Sequence, residues 1–298
     1  MARGAIMIGF IVLLGAGLAQ AVMIRHDVPE KKYLELAARP EFQSGLLTML
    51  DPRDNYTGVL IGSRHVLTVG HPIVGYLPDR ESSGSVAMKV RFQEKDYDAE
   101  YAYLHPQYDR VAHHGGADLA IIRLKQPGIT SAKPSTIWFG GVALGDRFIG
   151  VGLGKSGTGK DRDEPKPIGT FRGYENTIDY LFGEEGLRHF RSDFDNGTVD
   201  YNTLARVLYE KKNLEIKGKS SKTPLPLEGT TAAGDSGSGV WVKRDKKYHL
   251  AGIASYRYFS MYGGQAGYVN LSHPANVKWL REVAMVEDFA LEGIEADK

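Results

Sequence analysis

Short apolar runs, each closed by Gly, Pro, Asn or Asp, recur from residue 46 to residue 271, and this punctuation limits the fold more than any other feature. Residues 46–50, 56–61, 66–69, 86–92, 97–104 and 118–124 each read as a strand. Residues 148–151, 240–242, 249–255 and 268–271 continue the series. Runs this short do not make buried helices, and 36 glycines supply turns between them. The chain therefore reads as all-β, a barrel or a sandwich. Helical spacing is expected at residues 30–38, after Pro29, over a short piece at 204–209, and at 274–289, where Val277, Leu280, Val283 and Ala284 share one face.

Composition removes several function classes. A formal net charge of +1 gives no electrostatic case for nucleic acid, and no polybasic run points to a membrane surface. With no cysteine, disulfide scaffolds, thiolate metal sites and a cysteine nucleophile are excluded. Residues 1–21 read as a secretory signal peptide: Arg3 supplies the charge, residues 6–18 the apolar stretch, and Ala19-Gln20-Ala21 the small-x-small cleavage site. The apolar stretch is short of the roughly 20 residues a spanning helix needs. The mature chain is expected to begin near Val22, to be secreted or periplasmic, and to keep no membrane anchor after cleavage.

Two motifs fail on inspection. Residues 152–160 nearly match a phosphate-binding loop, but Asp161 stands where a hydroxyl should hold magnesium. Pro165 and Pro167 then exclude the helix such a loop requires, so the stretch reads as a hairpin loop. Asp193, Asp195 and Asp200 surround Gly197 without the spacing of a calcium loop. Residues 211–222 read as a solvated basic loop.

Three residues carry the candidate chemistry, and each lies at the edge of an apolar run. His71 follows Val66-Leu67-Thr68-Val69-Gly70, Asp118 opens Asp118-Leu119-Ala120-Ile121-Ile122, and Ser236 sits within Thr231-Ala232-Ala233-Gly234-Asp235-Ser236-Gly237-Ser238-Gly239. A serine hydroxyl attacks only when a base takes its proton, and a neutral imidazole does this near pH 7. A carboxylate on the far ring nitrogen fixes the tautomer. An α/β-hydrolase is excluded because Ser238 stands where G-x-S-x-G needs its last glycine. A subtilisin order would need an acid before His71, where Asp51 and Asp54 lie in a turn.

With Gly58-Val59-Leu60-Ile61, His105-Pro106-Gln107-Tyr108, Gly152-Leu153-Gly154 and Gly252-Ile253-Ala254-Ser255 in the same order, the chain resembles the trypsin-like, chymotrypsin-fold serine peptidases, especially their secreted bacterial members. The resemblance spans residues 44–285. It implies two packed six-stranded antiparallel β-barrels, at about 44–130 and about 135–272, then a C-terminal helix at about 274–289. It implies His71, Asp118 and Ser236 as the catalytic triad of an endopeptidase, with Gly234 and Ser236 N–H groups as the oxyanion hole. Thr230 and Thr231 would lie at the base of the substrate pocket, and Ser255, Tyr256 and Arg257 along its wall. A neutral threonine at the base implies a preference other than Lys or Arg: small, apolar or acidic side chains. Protein or peptide substrates, no cofactor, no metal and a monomer are further implications. So is pairing of a freed N-terminus, here Val22, with Asp235. The chain departs from the family pattern at Val69-Gly70, Pro72, Ser238, Gly239 and Arg257, the last standing where relatives usually carry glycine and accounting for any acidic preference. The interval from Asp118 to Ser236 is longer than in relatives, which places an inserted loop at 174–223. A non-catalytic binding protein of the same fold is the alternative.

Overall fold

The structure is a computed structural model that describes residues 22–50, 56–79, 83–109, 117–126, 128–161, 170–183, 188–206 and 215–295. Residues 1–21, read as a signal peptide, lie outside the described residues. Strand β1 (Val22–Ile24) and helix α1 (Glu30–Ala37) open the chain.

Seven strands follow: β2 (Leu47–Leu50), β3 (Tyr56–Gly62), β4 (His65–Thr68), β5 (Gly84–Ser85), β6 (Lys89–Phe92), β7 (Lys95–Leu104) and β8 (Ala120–Leu124). In β6, Lys89 and Arg91 face water while Val90 and Phe92 are buried, the pattern of a sheet with one wet face. The hydrogen-bonded circuit β2-β3-β4-β8-β7-β6 returns to β2, so six strands close a barrel. Leu47, Met49, Leu60, Val66, Val90, Phe92 and Ile122 fill it.

The second half holds β9 (Ile137–Trp138), β10 (Arg147–Gly152), β11 (Ser156–Thr158), β12 (Arg172–Thr177), β13 (Tyr180–Gly183), β14 (His189–Asp193), β15 (Glu215–Gly218), β16 (Gly229–Thr230), β17 (Gly239–Arg244), β18 (Lys247–Tyr258) and β19 (Gln265–Asn270). Eight of them form one antiparallel path, β12-β10-β17-β18-β19-β14-β13-β15. Among the described residues no backbone ladder joins β12 to β14. The Asn176 amide spans that gap, donating to the Asp193 carbonyl at 2.9 Å and the Gly229 carbonyl at 2.8 Å. Residues 153–171 connect the antiparallel neighbours β10 and β12, as a hairpin loop does. Within it, β11 pairs with β1, which also pairs with β16.

The segment 174–223 is more than an inserted loop. Its first part supplies β12, β13 and β14, all members of the second sheet. The added chain runs from residue 194 to 228. It contains a 3-10 turn at Leu204–Arg206 and strand β15, which falls in the stretch expected to be a basic loop. Residues 207–209, the rest of the expected helix, lie outside the described residues.

A third cluster joins the halves. Val59, Leu67, Val69, Leu119 and Ile121 of the barrel pack with Val151, Trp241, Leu250, Ile253 and Val269 of the second half, which among the described residues is an open sheet rather than the second closed six-stranded barrel expected. Helix α3 (Pro274–Val286) lays Leu280 and Val283 on the same seam, and Ala275 N–H donates to its capping residue His273. Strand β20 (Gly293–Ile294) ends the chain beside β9.

Four acids are buried where the added segment leaves and rejoins the sheet: Asp179, Asp193, Asp195 and Glu228. Asp195 N–H donates to Glu228 at 2.7 Å, but Asp195 Oδ1 has no hydrogen-bond partner. Burial, then the charges of Asp193 and Glu228, push the Asp195 carboxyl up to about 9. A carboxyl raised in the folded state binds a proton there that the unfolded chain has released. Its contribution to stability is present at low pH and is lost as pH rises from the usual carboxylate range of about 4 towards 9. Asp195→Asn, which cannot ionise, should therefore melt above wild type by a margin that widens from pH 5 to pH 9. A margin that stays constant across that range would contradict this account.

Candidate active site

His71 lies in a single helical turn, α2 (Gly70–Ile73), directly after β4. Asp118 stands two residues before β8, the neighbour of β4, so the barrel's own register brings the pair together. Gly70 permits the close approach: a Cβ there would lie 2.8 Å from Leu104 and 3.4 Å from Asp118 Oδ1. The His71 N–H donates to Asp118 Oδ1 at 2.9 Å, and His71 Nδ1 meets Oδ2 at 2.8 Å. Ser255 Oγ, from β18 of the second sheet, donates to the same Oδ2 at 2.5 Å. Burial alone would raise the Asp118 carboxyl. The His71 charge and the His71 and Ser255 hydrogen bonds outweigh it and hold the carboxyl below its usual range. A charged carboxylate at Nδ1 keeps the ring proton there and leaves Nε2 as the proton acceptor.

Ser236 sits in the loop between β16 and β17. Gly234 and Gly237 have φ of +94° and +88°, which a side chain rarely adopts. At Gly237 space adds to the argument, since a Cβ would lie 2.0 Å from the Thr57 carbonyl oxygen. Thr57, on β3 of the first barrel, holds the loop by donating its N–H to the Ser236 carbonyl at 2.9 Å and its hydroxyl to the same oxygen at 3.0 Å. Ala254 of β18 accepts from Gly237 N–H at 2.9 Å. Among the described residues the N–H groups of Gly234 and Ser236 have no acceptor, and no hydrogen bond joins Ser236 Oγ to His71. The Tyr56 ring stands edge-on to His71 at 6.3 Å and lines the same cavity as Ser236.

Asp235 points the other way, beneath the loop, and accepts from Gly154 N–H at 2.6 Å and Ala232 N–H at 2.7 Å. Gly152 and Gly154 form its seat: a Cβ at Gly152 would lie 2.1 Å from Asp235 Oδ1, and one at Gly154 would lie 2.4 Å from the Ala233 oxygen. The glycines that mimic a phosphate loop thus make room for a carboxylate. Burial pushes Asp235 up to about 6, against the pull of those hydrogen bonds and of the Arg257 charge.

A cavity of about 230 Å³ opens beside Ser236, and Thr231, Ser255, Tyr256 and Arg257 line it. Thr230 is not in that lining. It lies fully buried in β16, paired with Met23 of β1, and its hydroxyl has no hydrogen-bond partner. Ser255 was expected only as pocket wall; its bond to Asp118 is an additional role. Thr57, as the support of the Ser236 loop, is a further functional residue. Neither has a distinguishing signal in one sequence beyond a small hydroxyl residue beside an apolar run.

The family model for Trypsin matches residues 47–168, which include His71 and Asp118 and end before Ser236. No curated protein sequence matches the chain. A solved structure of neuropsin, a serine protease expressed in the limbic system of mouse brain, superposes with a TM-score of 0.55. The match covers 83% of this chain and 96% of that one at 16% identity, a likeness of fold. The architecture is chymotrypsin-like.

Gly237→Ala should cost about 1–3 kcal/mol of stability, because it imposes a strained φ and a clash with Thr57 at once. Denaturant unfolding measures this, and an unchanged midpoint would show that the loop does not depend on that contact.

Proposed function

We propose that this chain is a secreted serine endopeptidase in which Ser236 is the nucleophile, His71 the general base and Asp118 its orienting acid. The observation that carries the reading is the buried Asp118 carboxylate bonded to both nitrogens that His71 offers it, side chain and backbone. This arrangement leaves the remaining ring nitrogen as the group that would accept a proton from Ser236. Ser236 Oγ would attack the scissile carbonyl as its proton passes to His71 Nε2. The imidazolium then protonates the departing amine, and water repeats the sequence on the acyl-enzyme. Gly234 and Ser236 N–H groups, which lack acceptors among the described residues, suit the developing oxyanion. Protein or peptide substrates, no cofactor and a monomeric enzyme complete the reading.

Secretion rests on the leader pattern of residues 1–21, with cleavage before Val22. Val22 is fully buried with φ of +67°, and it pairs with Ser156, just beyond the glycines that seat Asp235. A new α-amino group at Val22 would supply the cation that the buried Asp235 carboxyl lacks, and would lower its raised pKa.

Ser236→Ala should abolish labelling by a fluorophosphonate probe while leaving the thermal melt unchanged. Asp118→Asn should lower kcat by roughly 10⁴-fold, as loss of the orienting acid does in such triads. Wild-type kcat/KM should rise with pH, because only a neutral base accepts the serine proton. Labelling at another serine, or a rate flat from pH 5 to pH 9, would remove the triad assignment.

N-terminal sequencing of exported protein should begin at Val22. A version carrying one extra residue before Val22 should lose kcat/KM, and equal activity of the two forms would eliminate the Asp235 pairing.

A further inference from the structure

The cavity beside Ser236 has a short inventory of charge. Asp235 and Arg257 are the acid and the base in its lining, the rest being alanines, glycine, hydroxyl residues and two tyrosines. The Asp235 oxygens are already occupied by Gly154 and Ala232 N–H groups, and the side chain is 1% exposed. Among the described residues, no hydrogen bond or ion pair engages Arg257. Its neighbour in charge is Asp235, which feels the guanidinium without forming an ion pair with it.

The pleat of β18 accounts for the position of Arg257. Successive side chains on a strand take opposite faces. Tyr256 lies over Gly267 of β19, where a Cβ would come within 2.2 Å of the ring. Its hydroxyl accepts from Arg191 Nε at 2.7 Å, and the Arg191 guanidinium stacks over Phe182, 4.4 Å from the ring centroid. Tyr256 is thus tied to the face shared with β14. Arg257, next along the strand and opposite Ala266, takes the other face, and it lines the cavity together with Ser255 and Tyr256. Arg191, the other nearby cation, is spent on aromatic rings; Arg257 is not.

We propose that Arg257 is a specificity residue, selecting a glutamate or aspartate side chain on the residue whose carbonyl Ser236 attacks. The assignment rests on the peptidase reading above. At about 230 Å³ the cavity is smaller than the about 300–1,000 Å³ of cofactor-sized pockets and suits one amino-acid side chain. A carboxylate entering it meets a planar guanidinium able to donate two parallel hydrogen bonds. A Lys or Arg side chain meets like charge and finds no free carboxylate, because both Asp235 oxygens are taken. An apolar side chain would strip water from Arg257 and return no partner.

The test compares kcat/KM for peptides that differ only in Glu, Gln, Leu or Lys before the scissile bond, with fluorophosphonate labelling run in parallel. Wild type should favour Glu over Gln by about tenfold or more, the scale on which buried polar partners discriminate. Arg257→Gln should bring that ratio to near one, and Arg257→Lys, which keeps the charge but loses the fork, should restore part of it. Wild type that labels at Ser236 but favours Leu or Lys would overturn the proposal, as would a Glu preference that survives Arg257→Gln. Wild type that neither labels nor cleaves removes the peptidase reading itself, and the specificity assignment with it.

Discussion

The candidate site is divided between two bodies, so its geometry is only as good as the seam between them. His71 and Asp118 belong to the first barrel and Ser236 to the second sheet. The apolar cluster around Val59, Leu119, Trp241 and Ile253 keeps the halves in one relative position. Interiors packed at crystal-like density resist small shifts, which is what a divided site requires. Trp241 also spends its indole N–H on Ser135 at 3.0 Å, and Ser135 in turn meets Ser44 at 2.7 Å. A large side chain is thus fixed at both its apolar and its polar ends.

Two hydrogen-bonded ties refine that alignment at the chemistry itself. Thr57 reaches from the first barrel to the backbone of Ser236, and Ser255 reaches from the second sheet to Asp118. They run in opposite directions, so each half steadies a functional group that belongs to the other. The glycines at 234 and 237 let the loop between them turn tightly enough to meet Thr57.

Much of this was legible in the sequence because burial follows chain periodicity. The runs at 56–61, 66–69 and 118–124 are nearly continuous in apolar residues, and they became β3, β4 and β8, the strands that carry His71 and Asp118. The gap in the reading lies at residues 174–223. There β12 reads Arg-Gly-Tyr-Glu-Asn-Thr and β14 His-Phe-Arg-Ser-Asp, yet most of these polar residues are buried. The Asn176 amide bonds the Asp193 carbonyl, and a polar residue buried with a partner looks, in one dimension, like a surface loop. The irregularity in β18 was equally hidden. A register shift between Ala254 and Tyr256 resets the alternation in β18, and only the paired strand reveals it.

That irregularity bears on how a chain like this can change over generations. Ser255, Tyr256 and Arg257 are consecutive and all line the cavity, yet their contacts differ: Ser255 braces the acid, Tyr256 holds Arg191 of β14, and Arg257 does neither. Substitution at 257 leaves both of those contacts in place. Insertion or deletion of a single residue in β18 would exchange the faces of all three at once. Descendants of this sequence can therefore diversify what enters the cavity by replacing side chains, while the length of this strand is held constant by the acid it braces.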